Sequence, residues 1–405
     1  MNERSPPPGA RGGPGGVPPG SLFAYAFRPF FLLAGLQAGL SVLFWLAVYF
    51  AALPAPAAPV VWHGHEMLFG FAAAVVAGFL LTAVANWTAT PPLQGWALAG
   101  LAGVWLAGRI AYGLGAWLPA GAVAAVDLAF LPLLAAAFAR QVFAARQRRQ
   151  YAFLGVLAAL FAGNLLTHLE ALGVGWADAR TGLLLAVDVT ILLIAVMGGR
   201  IIPSFTANAL RLGGDMHPVA VRPWLERLGA PAILLVLVAD LVAEQTPAAG
   251  LAALAAAAVH GLRLAGWQSL RTRAQPILWV LHVGYGWLVA GLALKGLAPF
   301  ADAVPPSAAL HALTVGAIGV LTLGVMSRVA LGHTGRAVTA HPLTVAAYGL
   351  VILAALLRVA TPILLPDAYG SGIAASGALW SLGFALFVAV YAPILTGPRA
   401  DGRPG

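Results

Sequence analysis

Twelve runs of about twenty apolar residues constrain this chain more than anything else in it. A helix needs about 20 consecutive apolar residues to cross the hydrocarbon core of a bilayer. Runs of that kind fall at roughly 29–52, 63–86, 95–115, 119–140, 151–172, 181–203, 229–246, 248–266, 276–297, 307–331, 343–363 and 371–395. A membrane β-barrel would show short segments of alternating polarity instead. The expected fold is therefore all-α and polytopic, with about twelve transmembrane helices. The weakest division lies between the seventh and eighth, where Glu244-Gln245-Thr246-Pro247 is the only break. Residues 1–27, rich in Pro and Gly, are expected to form a disordered cytoplasmic tail, with no cleavable signal peptide ahead of the first span. The transmembrane domain is expected over 28–396, opened by Arg28-Pro29, and a short cytoplasmic tail over 397–405.

Charge then orients the helices. The chain carries a formal net charge of +9, yet only 9% of its residues are charged. Its arginines cluster in alternate loops: Arg146, Arg148 and Arg149; Arg211, Arg222 and Arg227; Arg271 and Arg273; Arg328 and Arg336. By the positive-inside rule these loops and both termini face the cytoplasm of a bacterial inner membrane. The basic balance thus reports topology and implies no nucleic-acid partner; the expected surroundings are membrane lipid. There is no cysteine, which excludes disulfides, thiolate zinc sites, iron–sulfur clusters and covalently attached haem. Any metal must use His, carboxylate, Met or backbone.

Polar groups inside a membrane helix are expensive and mark a cofactor, ion or proton site by default. Trp62-His63-Gly64-His65-Glu66-Met67 places three ionisable side chains at the mouth of the second span. Residues i and i+2 on a helix point about 200° apart, so His63 and His65 do not close readily on one small ion. They serve two centres, or one ligates and the other supports it, or both line a wet helix start. Counting depth along the helices puts His63, His65, His168 and His311 within about 10 Å of the outer surface, with Glu66, Glu170, Asp127 and Asp188 in the same half. His260, His282 and His333 lie near the inner surface, while His217 and His341 fall in loops.

An internal repeat ties some of these together. The second, sixth and tenth helices end in Asn86-Trp87-Thr88, in Arg200 through Thr206, and in Arg328 through Thr334. Aligning Thr88 with Thr334 also pairs His65 with His311 and Gly70 with Gly316. Three groups of four helices resemble the plan of the haem–copper oxidase catalytic subunit, which also carries histidines on its second and tenth helices. Those enzymes bind their active-site copper through the sixth and seventh helices, which here have no histidine, so a standard oxygen-reducing centre is not expected.

Bis-histidine ligation is usual for an electron-transfer b-type haem, and His65 with His311 is the first choice of axial pair. Glycines at 70, 78, 316, 319 and 324 leave room beside these helices, or serve close helix packing. His63 with His168 is a candidate copper site, since copper prefers imidazole among the ligands present. Glu66 is a ligand, a supporting partner or a proton carrier, with Asp127 and Asp188 behind it. At the inner ends Arg200, Asn208, Arg328, His333 and Arg336 suit haem propionates or an oxyanion, or simply satisfy the topology rule. His260 and His282 could hold a second haem or metal. Met197 and Met326 are read as packing.

Taken together, Trp62 through Met67 with Asn86-Trp87-Thr88, Gly198 through Pro203 with Phe205, Thr206 and Asn208, and His311 through Gly319 with Gly324 through Arg328 and Leu331 through Arg336 resemble the NnrS family. The likeness covers nearly the whole chain after its N-terminal tail. It implies a haem- and copper-containing bacterial inner-membrane protein linked to nitric oxide metabolism, denitrification and protection against nitrosative stress. It supplies no ligand assignments. The leading expectation is a haem-containing, or haem–copper, membrane protein that binds or reduces nitric oxide, with Glu66 as proton carrier and an electron donor the sequence does not name. Two alternatives stand beside it: a secondary transporter, since twelve helices with internal repeats fit that class, and a haem-binding sensor or assembly protein without turnover.

Overall fold

The computed structural model describes residues 21–54, 56 and 58–403; residues 1–20 of the expected tail lie outside the described residues. Among the described residues there are twelve helical rods and no strand. They are α1 (Phe27–Tyr49), α2 (Pro59–Thr88), α3 (Gly95–Gly113), α4 (Ala120–Ala144), α5 (Ala152–Ala171), α6 (Ala179–Leu212), α7 (Pro223–Ala243), α8 (Pro247–Ala265), α9 (Pro276–Leu297), α10 (Pro306–His333), α11 (Pro342–Leu364) and α12 (Tyr369–Thr396). Ten are long and apolar enough to cross a membrane; α3 and α7 complete the twelve. The weak division holds: α7 stops at Ala243, and Thr246 caps α8 by accepting the Ala249 N–H at 3.3 Å, with Pro247 in the first turn. Both features favour a helix start.

The sequence placed the end of the sixth span at Pro203, but α6 runs on to Leu212. A proline inside a helix removes one hydrogen bond and does not always end it, and here the backbone continues through it. At 34 residues the rod is about 51 Å long at 1.5 Å per residue, well beyond a hydrocarbon core of about 30 Å. Asn208, past the expected end of the span, therefore sits on the same helix as Arg200 and not in a loop.

Enclosure sorts the rods. In its most apolar stretch α2 is 83% buried, α10 72% and α6 67%, against 39% for α1, α4, α5, α11 and α12. The three inner rods meet, together with Leu281 of α9, around an apolar cavity of about 80 Å³ that takes in Val75, Met197 and Leu321. Helices α5 and α6 approach closely at Gly163 and Gly182. A Cβ on Gly163 would lie 2.6 Å from the Gly182 carbonyl oxygen, and one on Gly182 would collide with the Gly163 carbonyl. Small residues allow such contact where no hydrophobic force drives membrane helices together. The contact presents the next turn of α5, which carries Asn164, Thr167 and His168, to the interior. The first and last helices meet at one end of the bundle: Ser21 Oγ donates to the Thr396 carbonyl at 2.9 Å, and Arg28 Nη1 donates to the Leu395 and Gly397 carbonyls.

Candidate metal centre

At the opposite end, α2 changes its winding. It is α-helical over Pro59–His65, π-helical over Glu66–Ala72, and α-helical again over Ala73–Thr88. Single π segments inside α-helices occur often at functional sites, because the wider turn re-aims side chains. Here the junction sends His65 and Glu66 toward α3, α4 and α5. Asp127 comes from α4, just before an interruption at Ala129 that separates Ala120–Leu128 from Phe130–Ala144. Pro132 accounts for the break, since it cannot donate to the carbonyl of Leu128 four residues back.

The side chains form one closed network. His65 Nε2 lies 3.2 Å from Asp127 Oδ2 and 2.9 Å from Asn164 Oδ1, and its Nδ1 lies 3.3 Å from Glu66 Oε1. His168 Nε2 is 2.8 Å from the same Asp127 Oδ2, to which Asn164 Nδ2 also donates at 2.8 Å. Arg109 of α3 pairs with both acids, donating to Glu66 Oε1 at 2.5 Å and to Asp127 Oδ1. Gln37 of α1 donates to the other Glu66 oxygen at 2.5 Å. The Tyr112 ring stacks on His65 with centroids 3.6 Å apart and planes 9° from parallel. His65, Glu66, Asp127, Asn164 and His168 are all buried.

Two physical properties follow. One nitrogen each from His65 and His168 and one oxygen from Asp127 all lie within 4.8 Å of one another. Donors bound at about 2.0–2.1 Å and at right angles on one ion stand about 2.9 Å apart, which the 2.8 and 3.2 Å separations approach. Two histidines and one carboxylate form a recognised set for iron(II), and imidazole also suits copper. The second property is charge. With Glu66 and Asp127 both ionised, Arg109 alone would leave the buried network one positive charge short of neutral. Buried charge left uncompensated is costly, and a bound cation, a second ring proton on His65 or a proton on one of the two carboxyls would supply what is missing.

A family model described as NnrS protein matches residues 21–399. The chain belongs to the NnrS family. No curated protein matches it. In this NnrS-family chain the other residues singled out from sequence have separate surroundings. His63 turns away from His65 and stacks on Trp45 of α1, centroids 4.7 Å apart, and its Nδ1 has no hydrogen-bond partner among the described residues. His311 lies in electrostatic reach of His63, and Arg358 of α11 acts on both. His311 Nδ1 donates to the Ser307 carbonyl at 2.7 Å. His65 and His311 thus have different neighbours, and His168 is brought to His65 and not to His63.

The inner-end residues are also dispersed. His260 bonds Tyr285 and the Gly229 carbonyl, whereas His282 lies between Thr206 and Ser269, 2.9 Å from each hydroxyl. Arg328 stacks over Phe205 and lines a cavity of about 200 Å³ with Asn86 and His333. Arg200 borders a different cavity of about 620 Å³ with Glu226 and Arg263, and Arg336 reaches the Thr334 and Pro398 carbonyls. Glu170 accepts the Ala179 N–H at 2.6 Å, so it caps a helix start.

Sequence reasoning missed Gln37, Arg109, Tyr112 and Asn164. Arg109 and Asn164 were detectable in principle, as polar residues inside apolar runs. Gln37 was detectable on the same ground, whereas Tyr112 carries no such signal, because a tyrosine is ordinary in a membrane helix until its neighbours are known.

Proposed function

We propose that this chain is a redox protein of the bacterial inner membrane that handles nitric oxide, with an iron or copper ion among His65, Asp127 and His168. The observation that carries this reading is the convergence of two imidazoles and one carboxylate from α2, α4 and α5 at 2.8 and 3.2 Å separations, beside a second carboxylate and a single arginine. Family membership supports the nitric oxide assignment. The arginine-rich loops support cytoplasmic termini. The enclosure of α2, α6 and α10 supports three four-helix groups.

Haem b on the His65–His311 pair gains no support from the geometry. Both nitrogens of His65 already face polar partners, and His311 has other neighbours. The two cavities of about 200 and 620 Å³ carry at most one histidine, His333.

A bound ion would supply an open coordination position and a change of oxidation state. The chain's own residues do the rest. Asn164 and Asp127 orient the imidazoles, and hydrogen-bonded supports of this kind hold ligands in place. Arg109 and Gln37 fix Glu66 beside His65, where its carboxylate can take up a proton and then pass it to a nitrogen oxide that is being reduced. Nitric oxide is small, neutral and soluble in lipid, and the apolar cavity between the inner helices offers it room. Electrons would come from a separate donor.

Metal analysis of the purified protein in lipid nanodiscs tests the reading. The expected result is one iron or copper per chain, lost in Asp127→Asn and in His168→Ala. Protein that binds neither metal after anaerobic reconstitution overturns it. An electrode trace with reductant present then separates binding from turnover: Glu66→Gln should slow nitric oxide consumption while metal content stays constant. A second reading has its own support, because both nitrogens of His65 face acceptors. A ring carrying both protons also neutralises the network, and the site is then a buried ion network without metal.

A further inference from the structure

The inner rods α2, α6 and α10 enclose a second cavity, of about 200 Å³, at the end of the bundle where the first and last helices meet. Thr82 and Asn86 of α2, Phe205 of α6, and Arg328 and His333 of α10 border it. The Arg328 guanidinium lies over the Phe205 ring, 4.0 Å from its centroid, and makes no hydrogen bond or ion pair among the described residues. No acid lines the cavity among those residues. Asp401, at the same end, is held by Arg399, which also donates to the His333 carbonyl at 2.7 Å. The buried arginines differ in this respect: Arg109 pairs with Glu66 and Asp127, Arg263 with Glu226, and Arg28 with two carbonyls.

Topology alone does not account for Arg328. Arginines that orient a membrane protein stand in water, as Arg146, Arg148, Arg271 and Arg273 do on this surface. Arg328 is half-buried, on a helix that runs on to His333, and borders a space between three enclosed rods. A charge without a counter-ion is expensive there, and the face of Phe205 offsets only part of the cost. Two more donors are free to help an anion. Asn86 is exposed, and its amide reaches the Thr82 carbonyl only at 3.5 Å, the far limit of a hydrogen bond. The His333 ring packs on Phe27, and its nitrogens make no hydrogen bond among the described residues. Thr82 is committed elsewhere, accepting from the Phe27 N–H at 3.0 Å and donating to the Gly78 carbonyl at 2.6 Å.

A guanidinium presents a planar fork that matches two oxygens of one anion, and amide and imidazole N–H groups donate to the same acceptors. One negative charge balances Arg328, whereas two would leave a new charge uncompensated. The volume admits a small ion with several waters, and exposed Asn86 opens the cavity to the aqueous side. We propose that this cavity binds a small planar oxyanion of single negative charge, with Arg328 as its counter-ion and Asn86 and His333 as further donors. None of the three belongs to the network of His65, Asp127 and His168, so the site stands or falls separately from the metal.

Saturation-transfer NMR of the full-length protein in nanodiscs tests it, with sodium formate as the probe at constant ionic strength in sodium chloride. The transferred signal on the formate proton should rise with concentration and saturate. Nitrite should displace formate, and sulfate at the same concentration should not. Arg328→Met should weaken binding at least tenfold, and Arg328→Lys less, because it keeps the charge and loses the fork. No saturable signal in the wild-type protein, or unchanged affinity in Arg328→Met, overturns the site, and displacement by sulfate overturns its assignment to a singly charged planar ion. If Arg328→Met fails to fold, Asn86→Asp decides: a carboxylate in the same cavity should abolish formate binding, and wild-type affinity in that variant overturns the proposal.

Discussion

In both α2 and α10 a short α-helical entry closes on a histidine and a π-helical stretch follows, Glu66–Ala72 after His65 and Ala312–Gly319 after His311. In the alignment that pairs Thr88 with Thr334, the two π stretches fall opposite each other. The same backbone device is furnished with opposite charge. Around His65 stand two carboxylates and one arginine, all buried. Near His311 stands Arg358, with no carboxylate paired to it among the described residues: its Nη2 lies 3.4 Å from the Tyr369 hydroxyl, and its Nη1 has no hydrogen-bond partner among the described residues. Gly70 and Gly316 occupy matching places and admit different neighbours. A Cβ on Gly70 would meet the Gln37 amide at 2.9 Å, and one on Gly316 would meet the Trp287 ring at 2.6 Å. The comparison shows that a repeat in winding need not be a repeat in chemistry. The anionic end can attract a cation or proton; the cationic end cannot do so readily.

The largest expected effect comes from the two arginines. Arg109→Met removes the one charge that compensates Glu66 and Asp127, and breaking a buried pair from one side costs about 3–5 kcal/mol. Arg358→Met strands no acid, so its stability should equal or exceed that of the wild type. Unfolding of both variants in detergent would show the difference, and equal losses would mean that the two ends are not electrically distinct. Next is Asn164→Ala, which removes a support shared by His65 and Asp127. Outer-sphere losses of this kind lower metal affinity about 10–100-fold. A competition titration with a metal chelator reads the change, and undiminished affinity would remove the ion from this network.

Much of this contrast could be anticipated, though not its partners. Run length alone gave the helices, because a bilayer fixes how long an apolar helix must be. That His63 and His65 face different ways follows from 100° of rotation per residue, and the structure places Trp45 beside one and Tyr112 beside the other. Depth along a helix could group His65 with His168, but it could equally group them with His63 and His311, since depth says nothing of direction around the bundle. Depth also grouped Asp127 with His65, yet its role rests on α3 and α5 lying beside α4. The continuation of α6 past Pro203 was hidden by a residue that usually ends helices. Nor does any local pattern announce the π stretches.

The matched glycines allow a finer comparison. Gly316→Ala drives a methyl into the rigid indole of Trp287, and overpacking of this kind costs about 1–3 kcal/mol. Gly70→Ala meets the end of the flexible Gln37 side chain and, at 3.3 Å, the Arg109 guanidinium, which can shift at the expense of their bonds to Glu66. Thermal unfolding should therefore rank Gly316→Ala as the less stable of the two. If metal is bound, the 70 variant should show the larger change in its spectrum, because Glu66 loses a restraint. The reverse ranking would mean that α10 yields more easily than α2 at its π turn.

The smallest effect expected is also the most discriminating. His311 Nδ1 donates to the Ser307 carbonyl within the same helix, so His311→Ala forfeits one ordinary hydrogen bond, worth about 0.5–1.5 kcal/mol net. The carbonyl left behind sits near the start of α10, beside a cavity large enough for water, which limits the loss further. Metal content should match the wild type, because nothing in the network of His65, Asp127 and His168 touches His311. Parallel metal analysis of His65→Ala and His311→Ala is the measurement. If both lose the ion to the same extent, the two π ends serve one centre after all, and a cofactor spanning His65 and His311 would again explain why a histidine stands at each junction.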